Sequence, residues 1–301
     1  ARRQRQMCIR DRVYPNWPLF FAETVTVTMW AIDRMAKQTS EEQKPPGWFR
    51  NHRAELFLAP VILGGALLLW EGLVRWQQYP AFILPSPGVV AHKLIVVIAD
   101  GSLWYHAQIT LWEILAGLVL GLSAATVLGY LLAKSHRLER LLSPYLVASQ
   151  AIPIIAIAPL LIIWINSPGT SKVLICALTI FFPTLINTIV GIRSVEPDLH
   201  ALMQSLRASR WQILTRLEIP AALPMLFGGL KIGVTLAVIG AIVAEFVGAD
   251  RGLGFLINLS RGILDTPLLF VSLAALVVIA VLLYGAVALL EHRLLAWQRI
   301  T

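Results

Sequence analysis

Apolar runs of membrane-crossing length recur along this chain, separated by shorter polar stretches. Taken in order they are Leu56–Trp76, Ile109–Ala133, Tyr145–Ile165, Val173–Ile192, Leu223–Val247 and Leu268–Leu290. Each is close to the ~20 residues that a helix needs to cross a bilayer. The pattern predicts an all-α membrane protein with about six transmembrane helices. An earlier run, Leu19 to Ile32, is apolar but short, contains Glu23 and has no small-residue cleavage site behind it. It is read as neither a span nor a signal peptide.

Small and helix-bending residues mark the runs. Gly117 and Gly121 form a GxxxG pair within the second span, which lets helices approach closely. Pro153 and Pro159 fall in the third span and Pro183 in the fourth, where each frees a backbone carbonyl and favours a kink. LPSPG at Leu84–Gly88 carries turn chemistry within a loop at 77–108, ahead of a surface helix. KSHRLERLLS reads as a short basic loop, and GADRGLGFLINLSRGILDTP as a longer one.

One polar interruption differs from the rest. DLHALMQSLRASRWQILTRLEIP, Asp198 to Pro220, carries Arg207, Arg210, Arg216 and Glu218 and yet has helical spacing. Asp198 is a good N-cap, and Ser209 with Gln212 fits a capping box. The stretch predicts two short helices joined by a turn near Arg207 and Ala208. Leu202, Met203 and Leu206 share a face of the first; Ile213, Leu214 and Leu217 share a face of the second. A capped, basic, amphipathic helix pair between two spans fits either a docking surface for a cytoplasmic partner or a loop lying on lipid.

Composition narrows the class. The chain is 57% hydrophobic and 14% charged, unlike an ordinary soluble domain. Its net charge of +8 flanks apolar runs and is not interleaved with aromatics, so basic membrane-facing loops explain it better than nucleic acid. With the N-terminus inside, about 19 Lys and Arg fall on inside segments and about 4 or 5 outside. That puts the helix pair and both termini in the cytoplasm. Cys8 and Cys176 lie far apart, and the six histidines are scattered, so no disulfide framework and no metal site is expected. Residues 1–55 read as a basic cytoplasmic segment, with a polar linker at 38–53. Within it the first ~34 residues are unlike the rest, and Met29 and Met35 are alternative starts. Residues 56–295 form the transmembrane domain, the loop at 193–221 lies within it, and 296–301 are a tail.

Catalytic motifs are missing. There is no GxxxxGK[ST], no HExxH and no GxSxG, so neither ATP binding through a Walker loop nor hydrolase chemistry is expected, and no cofactor is called for. Glu245 is the intramembrane charge of most interest. It fits a hydrated pathway, or an interfacial carboxylate paired with Arg251. Lys231 is expected to snorkel to the interface, and Glu113 to cap the start of its span. Gln150 and Asn187 fit either a cavity lining or bonds to neighbouring helices.

The passage ending IPAALP, together with GGLKIGVTLAVIGAIVAEFVGADRGLGFLI (Gly228–Ile257) and ILPSPGVV (Ile83–Val90), resembles permease subunits of binding-protein-dependent ABC importers of the nitrate, taurine and aliphatic sulfonate type. That group includes transporters of thiamine-pyrimidine and riboflavin-like compounds. The resemblance covers about residues 56–295. It implies a type I ABC importer permease fold in a bacterial inner membrane, with no enzymatic activity in this chain. It implies a second permease subunit (a homodimer in the simplest case), separate cytoplasmic ATPase subunits and an extracytoplasmic binding protein. It also implies that the EAA loop couples to the ATPase, here through Ala201, Leu202, Met203, Ser205, Leu206, Arg207, Ala208, Ser209 and Trp211. The family's Glu-Ala-Ala falls at Ala201, Leu202 and Met203, and its glycine at Arg207, so this loop departs from the pattern. Two rivals stand beside this reading. One is a secondary transporter that uses Glu245 or Glu71 in ion coupling; the other is a membrane-embedded enzyme.

Overall fold

A computed structural model describes residues 52–295. The expectations for residues 1–51 and 296–301 lie outside the described residues. Two compact units divide the chain, Ala1–Ala66 and Leu67–Thr301. Of the first, residues 52–66 form the beginning of helix α1 (His52–Gln77). The second holds the rest of α1 and α2 (Pro87–Ala99), α3 (Ser102–Lys134), α4 (His136–Gln150), α5 (Ile154–Ile165) and α6 (Pro168–Arg193). It continues with α7 (Pro197–Ser205), α8 (Arg210–Ile213), α9 (Ile219–Gly248), α10 (Leu253–Gly262) and α11 (Thr266–Leu294). No strand occurs among the described residues.

Among the described residues, the stretches 102–134, 169–193, 210–248 and 266–294 are long and apolar enough to cross a membrane. The pair α4–α5, bent by 95°, is a fifth if it counts as one span. The six-span expectation therefore exceeds the observed four or five. Its first member falls on α1, a 26-residue helix with Glu71 and Arg75 in its last turns.

Glycine decides how the spans pack. A Cβ on Gly121 would sit 2.6 Å from the carbonyl oxygen of Ala177, and one on Gly129 would sit 2.7 Å from Cβ of Thr188. Gly117 faces Cys176 on the same helix. The GxxxG pair thus brings α3 against α6, with matching residues rising together, so the two helices run parallel. Gly229 meets Asn187, and Gly240 meets Thr179, so α9 packs antiparallel to α6. Ile114, Cys176, Ile180, Ala237 and Ala241 fill the contact between these three helices.

Two expected loops are helical, and the surface helix expected beside the LPSPG turn forms. KSHRLERLLS opens α4, because the Ser135 hydroxyl accepts the Leu138 N–H and Leu142 and Leu146 pack on Leu132 and Leu185. In GADRGLGFLINLSRGILDTP, α10 buries Leu253, Leu256 and Ile257 in the main core. The 77–108 stretch contains α2, capped by Ser86 with Pro87 in its first turn, as well as the beginning of α3. Long-range burial of apolar residues overrides the polar appearance of the α10 stretch, whereas α2 is apolar in sequence and buries only Val97.

Candidate functional site

The helix pair forms with two adjustments. Helix α7 begins at Pro197, one position before the expected cap, so Asp198 acts by its charge in the first turn and not as the N-cap. Leu206 closes α7 and Arg207 follows at φ +53°, with its N–H bonded to Gln204 O (2.9 Å) and the Ala208 N–H bonded to Met203 O (3.0 Å). That is a Schellman ending with arginine where glycine is usual. The capping box at Ser209 and Gln212 is present in both directions (3.3 and 2.7 Å). After α8 the chain does not break before the next span. A π-helical turn, Leu214–Glu218, carries it into α9, with the Ile219 N–H reaching back to Leu214 O. The wide turn accommodates Pro220, which lacks the N–H that an α-helical turn would use.

Large apolar side chains stand exposed on this pair, among exposed polar ones. Leu202 is 54% exposed, Leu206 69% and Trp211 71%. Ala201, Ser205, Arg207 and Ser209 are also exposed, whereas Met203 and Ala208 are half-buried. Ile213, Leu214 and Leu217 turn the other way and are half-buried.

Both ends of the 194–217 stretch are held at the C-terminus of α3. Arg193, just before it, makes a bidentate pair with Glu139 of α4 (2.7 Å on each oxygen). The same guanidinium donates to Leu132 O (3.3 Å) and Ala133 O (3.4 Å), the last carbonyls of α3. Glu218, at the far end, is 1% exposed and pairs with Lys134, the last residue of α3. His200 of α7 lies 3.7 Å from the same carboxylate.

A second polar network sits at the opposite ends of the helices. Glu245 does not pair with Arg251, which bonds its exposed neighbour Asp250 (3.2 Å). It is 1% exposed, and its Oε1 accepts from the Thr110 hydroxyl (2.6 Å). Its Oε2 accepts from the Gly254 N–H (2.5 Å). Leu253 N–H donates to the Thr110 oxygen (2.8 Å), and Gly252 N–H to His106 Nδ1 (2.9 Å). Three successive N–H groups at the start of α10 are therefore satisfied by α3 and α9, with a carboxylate at the positive end of the helix dipole. Gly252 (φ +114°) and Gly254 make room for it: a Cβ on Gly254 would lie 2.8 Å from Glu245 Oε2. Glu113 does not cap α3, which starts at Ser102; it forms a buried ion pair with Lys172 of α6 (3.0 Å). An open pocket of about 970 Å³ lies against this pair, with Trp112, Thr170, Asp250 and Arg251 among its walls.

The remaining candidates are scattered. Gln150 is exposed and lines a cavity of about 550 Å³ that it shares with Glu139 and Arg193. Asn187 donates to Pro183 O in its own helix (2.9 Å). Lys231 pairs with Glu291 of α11 instead of reaching freely to the interface, and Glu71 pairs with Arg75 (2.7 Å). The sequence reading missed Thr110, His106, Lys134, Glu139, Lys172 and Arg193 as partners. Only the glycines of GADRGLG hinted that something approaches the backbone there.

Close-packed apolar helices, buried ion pairs at both ends and an exposed helix pair between two spans define a multi-pass membrane protein. Residues 117–296 match the family described as binding-protein-dependent transport system inner membrane component. The chain is 48% identical over 239 residues to the riboflavin transport system permease protein RibX of Chloroflexus aurantiacus, covering 79% of this chain and 89% of that one. It is 35% identical over 233 residues to the formylaminopyrimidine transport permease protein ThiX of Halalkalibacterium halodurans (77% and 92% covered). It is 30% identical over 237 residues to the taurine transport system permease protein TauC of Escherichia coli (77% and 86%). The MetNI methionine ABC transporter, in inward-facing conformations, shares the fold at a TM-score of 0.50 and 20% identity, over 64% of this chain and 94% of that one. The chain belongs to the binding-protein-dependent transport system inner membrane component family, and it is the permease subunit of an ABC importer.

Proposed function

We propose that this permease imports a flavin-like or related planar heteroaromatic solute, driven by separate ABC ATPase subunits that dock on α7 and α8. The exposure of Leu202, Leu206 and Trp211 on an otherwise polar stretch carries the docking part. Exposed large apolar side chains mark a protein or membrane contact, and this reading takes the protein contact. Ala201, Met203, Ser205, Arg207, Ala208 and Ser209 belong to the same surface. The solute class rests on the higher identity to the riboflavin permease than to the taurine one. An extracytoplasmic binding protein delivers the solute, and two copies of this chain enclose the pathway. The helix pair and the C-terminus face the cytoplasm, and the N-terminus joins them when α1 is counted as a sixth crossing. Gln150, exposed in its cavity, is the pathway candidate that this reading favours; Glu245 and Asn187 are assigned to holding helices in place.

The test is riboflavin uptake into proteoliposomes, with and without ATP, the ATPase and the binding protein of the same transport system. Uptake that needs every component supports the proposal, and competition by taurine in place of flavins would redirect the solute class. Uptake by this chain alone, driven by an ion gradient, would overturn it in favour of a secondary transporter. Leu206→Asp or Trp211→Glu is expected to abolish ATPase capture in a pull-down while the permease stays folded. Unchanged capture would remove the docking surface.

A further inference from the structure

The docking surface is not a free loop. Its two ends are fixed to one place, the C-terminus of α3 and the start of α4. At the first end, the Arg193 guanidinium spans both oxygens of Glu139 (2.7 Å each) and also reaches Leu132 O and Ala133 O. At the second, Lys134 and Glu218 form an ion pair whose carboxylate is buried, and the carboxylate's other oxygen has no hydrogen-bond partner among the described residues. Lys134 also lies 5.7 Å from the centre of the Tyr130 ring. Bidentate arginine–carboxylate pairs resist rotation as well as separation, because two parallel bonds fix the planes. A push on Leu206 or Trp211 that reaches Arg193 or Glu218 therefore moves the end of α3 or breaks these links.

We infer that Arg193–Glu139 and Lys134–Glu218 form a two-point mooring that transmits movement of the docking surface to α3 and α4. Arg193 and Glu139 are positioning residues for transport: they share the wall of the Gln150 cavity, but their charged groups are engaged with each other and with the last carbonyls of α3, and they act through the spans. The inference rests on the docking reading and adds the route by which docking reaches the membrane. Helix α3 carries the consequence through its length. The same helix holds Glu113 and Thr110 at its other end, beside the 970 Å³ pocket and the cap of α10. Close packing of α3 on α6 through Gly117, Gly121 and Gly129 leaves little freedom to absorb the motion locally.

The experiment uses the complete transporter in proteoliposomes: permease, its ATPase and its binding protein loaded with riboflavin. Three quantities are measured: ATPase co-purification, ATP hydrolysis without binding protein, and hydrolysis stimulated by it. Glu139→Ala, Arg193→Ala and the double variant are compared, with Glu139→Gln as a gentler substitute. The expected result is unchanged co-purification and unstimulated hydrolysis, with stimulation reduced roughly three- to thirty-fold in each single variant. The double variant is expected to be no worse than the poorer single one, since both remove one link. Wild-type stimulation in Glu139→Ala and Glu139→Gln would overturn the inference. So would losses that multiply in the double variant, which mark two independent structural roles. If the wild-type permease fails to retain the ATPase, the docking reading falls and this inference with it.

Discussion

Arg207 shows how a backbone angle can be hidden in a sequence even when its partners are local, because arginine stands where the family resemblance places glycine and the helix still closes left-handed. A left-handed residue is expected wherever a helix closes in a Schellman turn, and here it has φ +53°. Arginine in that conformation costs roughly 1 kcal/mol relative to glycine, partly offset because glycine gives the unfolded chain more freedom. Arg207→Gly is expected to raise the thermal midpoint of the purified permease slightly, by a net gain below about 1 kcal/mol. A lower midpoint would mean that the arginine side chain makes contacts outweighing the strain. The buried pair of Glu113 and Lys172 is hidden for a different reason, since its members are 59 residues apart and neither signals the other. Removing one partner leaves a charge buried without its counter-ion, at a cost of about 3–5 kcal/mol. Lys172→Met is therefore expected to unfold far more easily in detergent melts. The pair Glu113→Leu with Lys172→Met should recover most of that loss, because burying two apolar groups leaves no charge behind.

Helices and their contacts were readable to different depths. The capping box at Ser209 and the amphipathic faces of the α7–α8 stretch follow from residues three or four apart, so the sequence carries them. The loops that turned out helical do not, because α10 is held by Glu245 and Thr110, which approach it only after α3 and α9 pack. GxxxG at Gly117 and Gly121 announces a close approach without naming the partner, which is α6. A side chain at Gly121 would have to displace the Ala177 carbonyl, and backbone cannot yield as a flexible side chain does. Gly121→Leu is expected to separate α3 from α6 and to cause loss of the folded permease, seen as early aggregation on size-exclusion chromatography. Gly169→Ala is the control, because open space surrounds that position. Equal behaviour of the two variants would show that the α3–α6 approach is not limiting. Glu245→Ala is expected to destabilise α10 through its unsatisfied N–H groups, read as faster amide exchange at 253–256. Glu245→Gln, which keeps an acceptor, should exchange nearly as slowly as the parent.

For the whole molecule, helix direction gives the order of crossings, and charge bears on which side of the membrane each loop takes. Parallel packing of α3 and α6 requires residues 135–167 to return across the membrane, which makes the bent α4–α5 pair the fifth crossing. The side-chain links agree, since Glu139 meets Arg193 at one end of α6 while Ser167 lies at the pocket beside Gly248 at the other. Helix α9 runs back against α6, so Ser205 and Asp250 fall on opposite sides of the bilayer. The proposed orientation puts the loops richer in Lys and Arg in the cytoplasm, as positively charged loops favour. Cysteine labelling tests the result directly. Cys176 is buried, and Cys8 can be replaced by serine, so a single introduced thiol reports alone. Ser205→Cys is expected to resist a membrane-impermeant maleimide in intact spheroplasts and to react once they are permeabilised. Asp250→Cys should react in both conditions. The reverse pattern would place the exposed Leu206 and Trp211 outside the cell, out of reach of any cytoplasmic ATPase. Labelling of both positions from outside would mean that α9 does not cross the membrane, and the parallel arrangement of α3 and α6 would need another explanation.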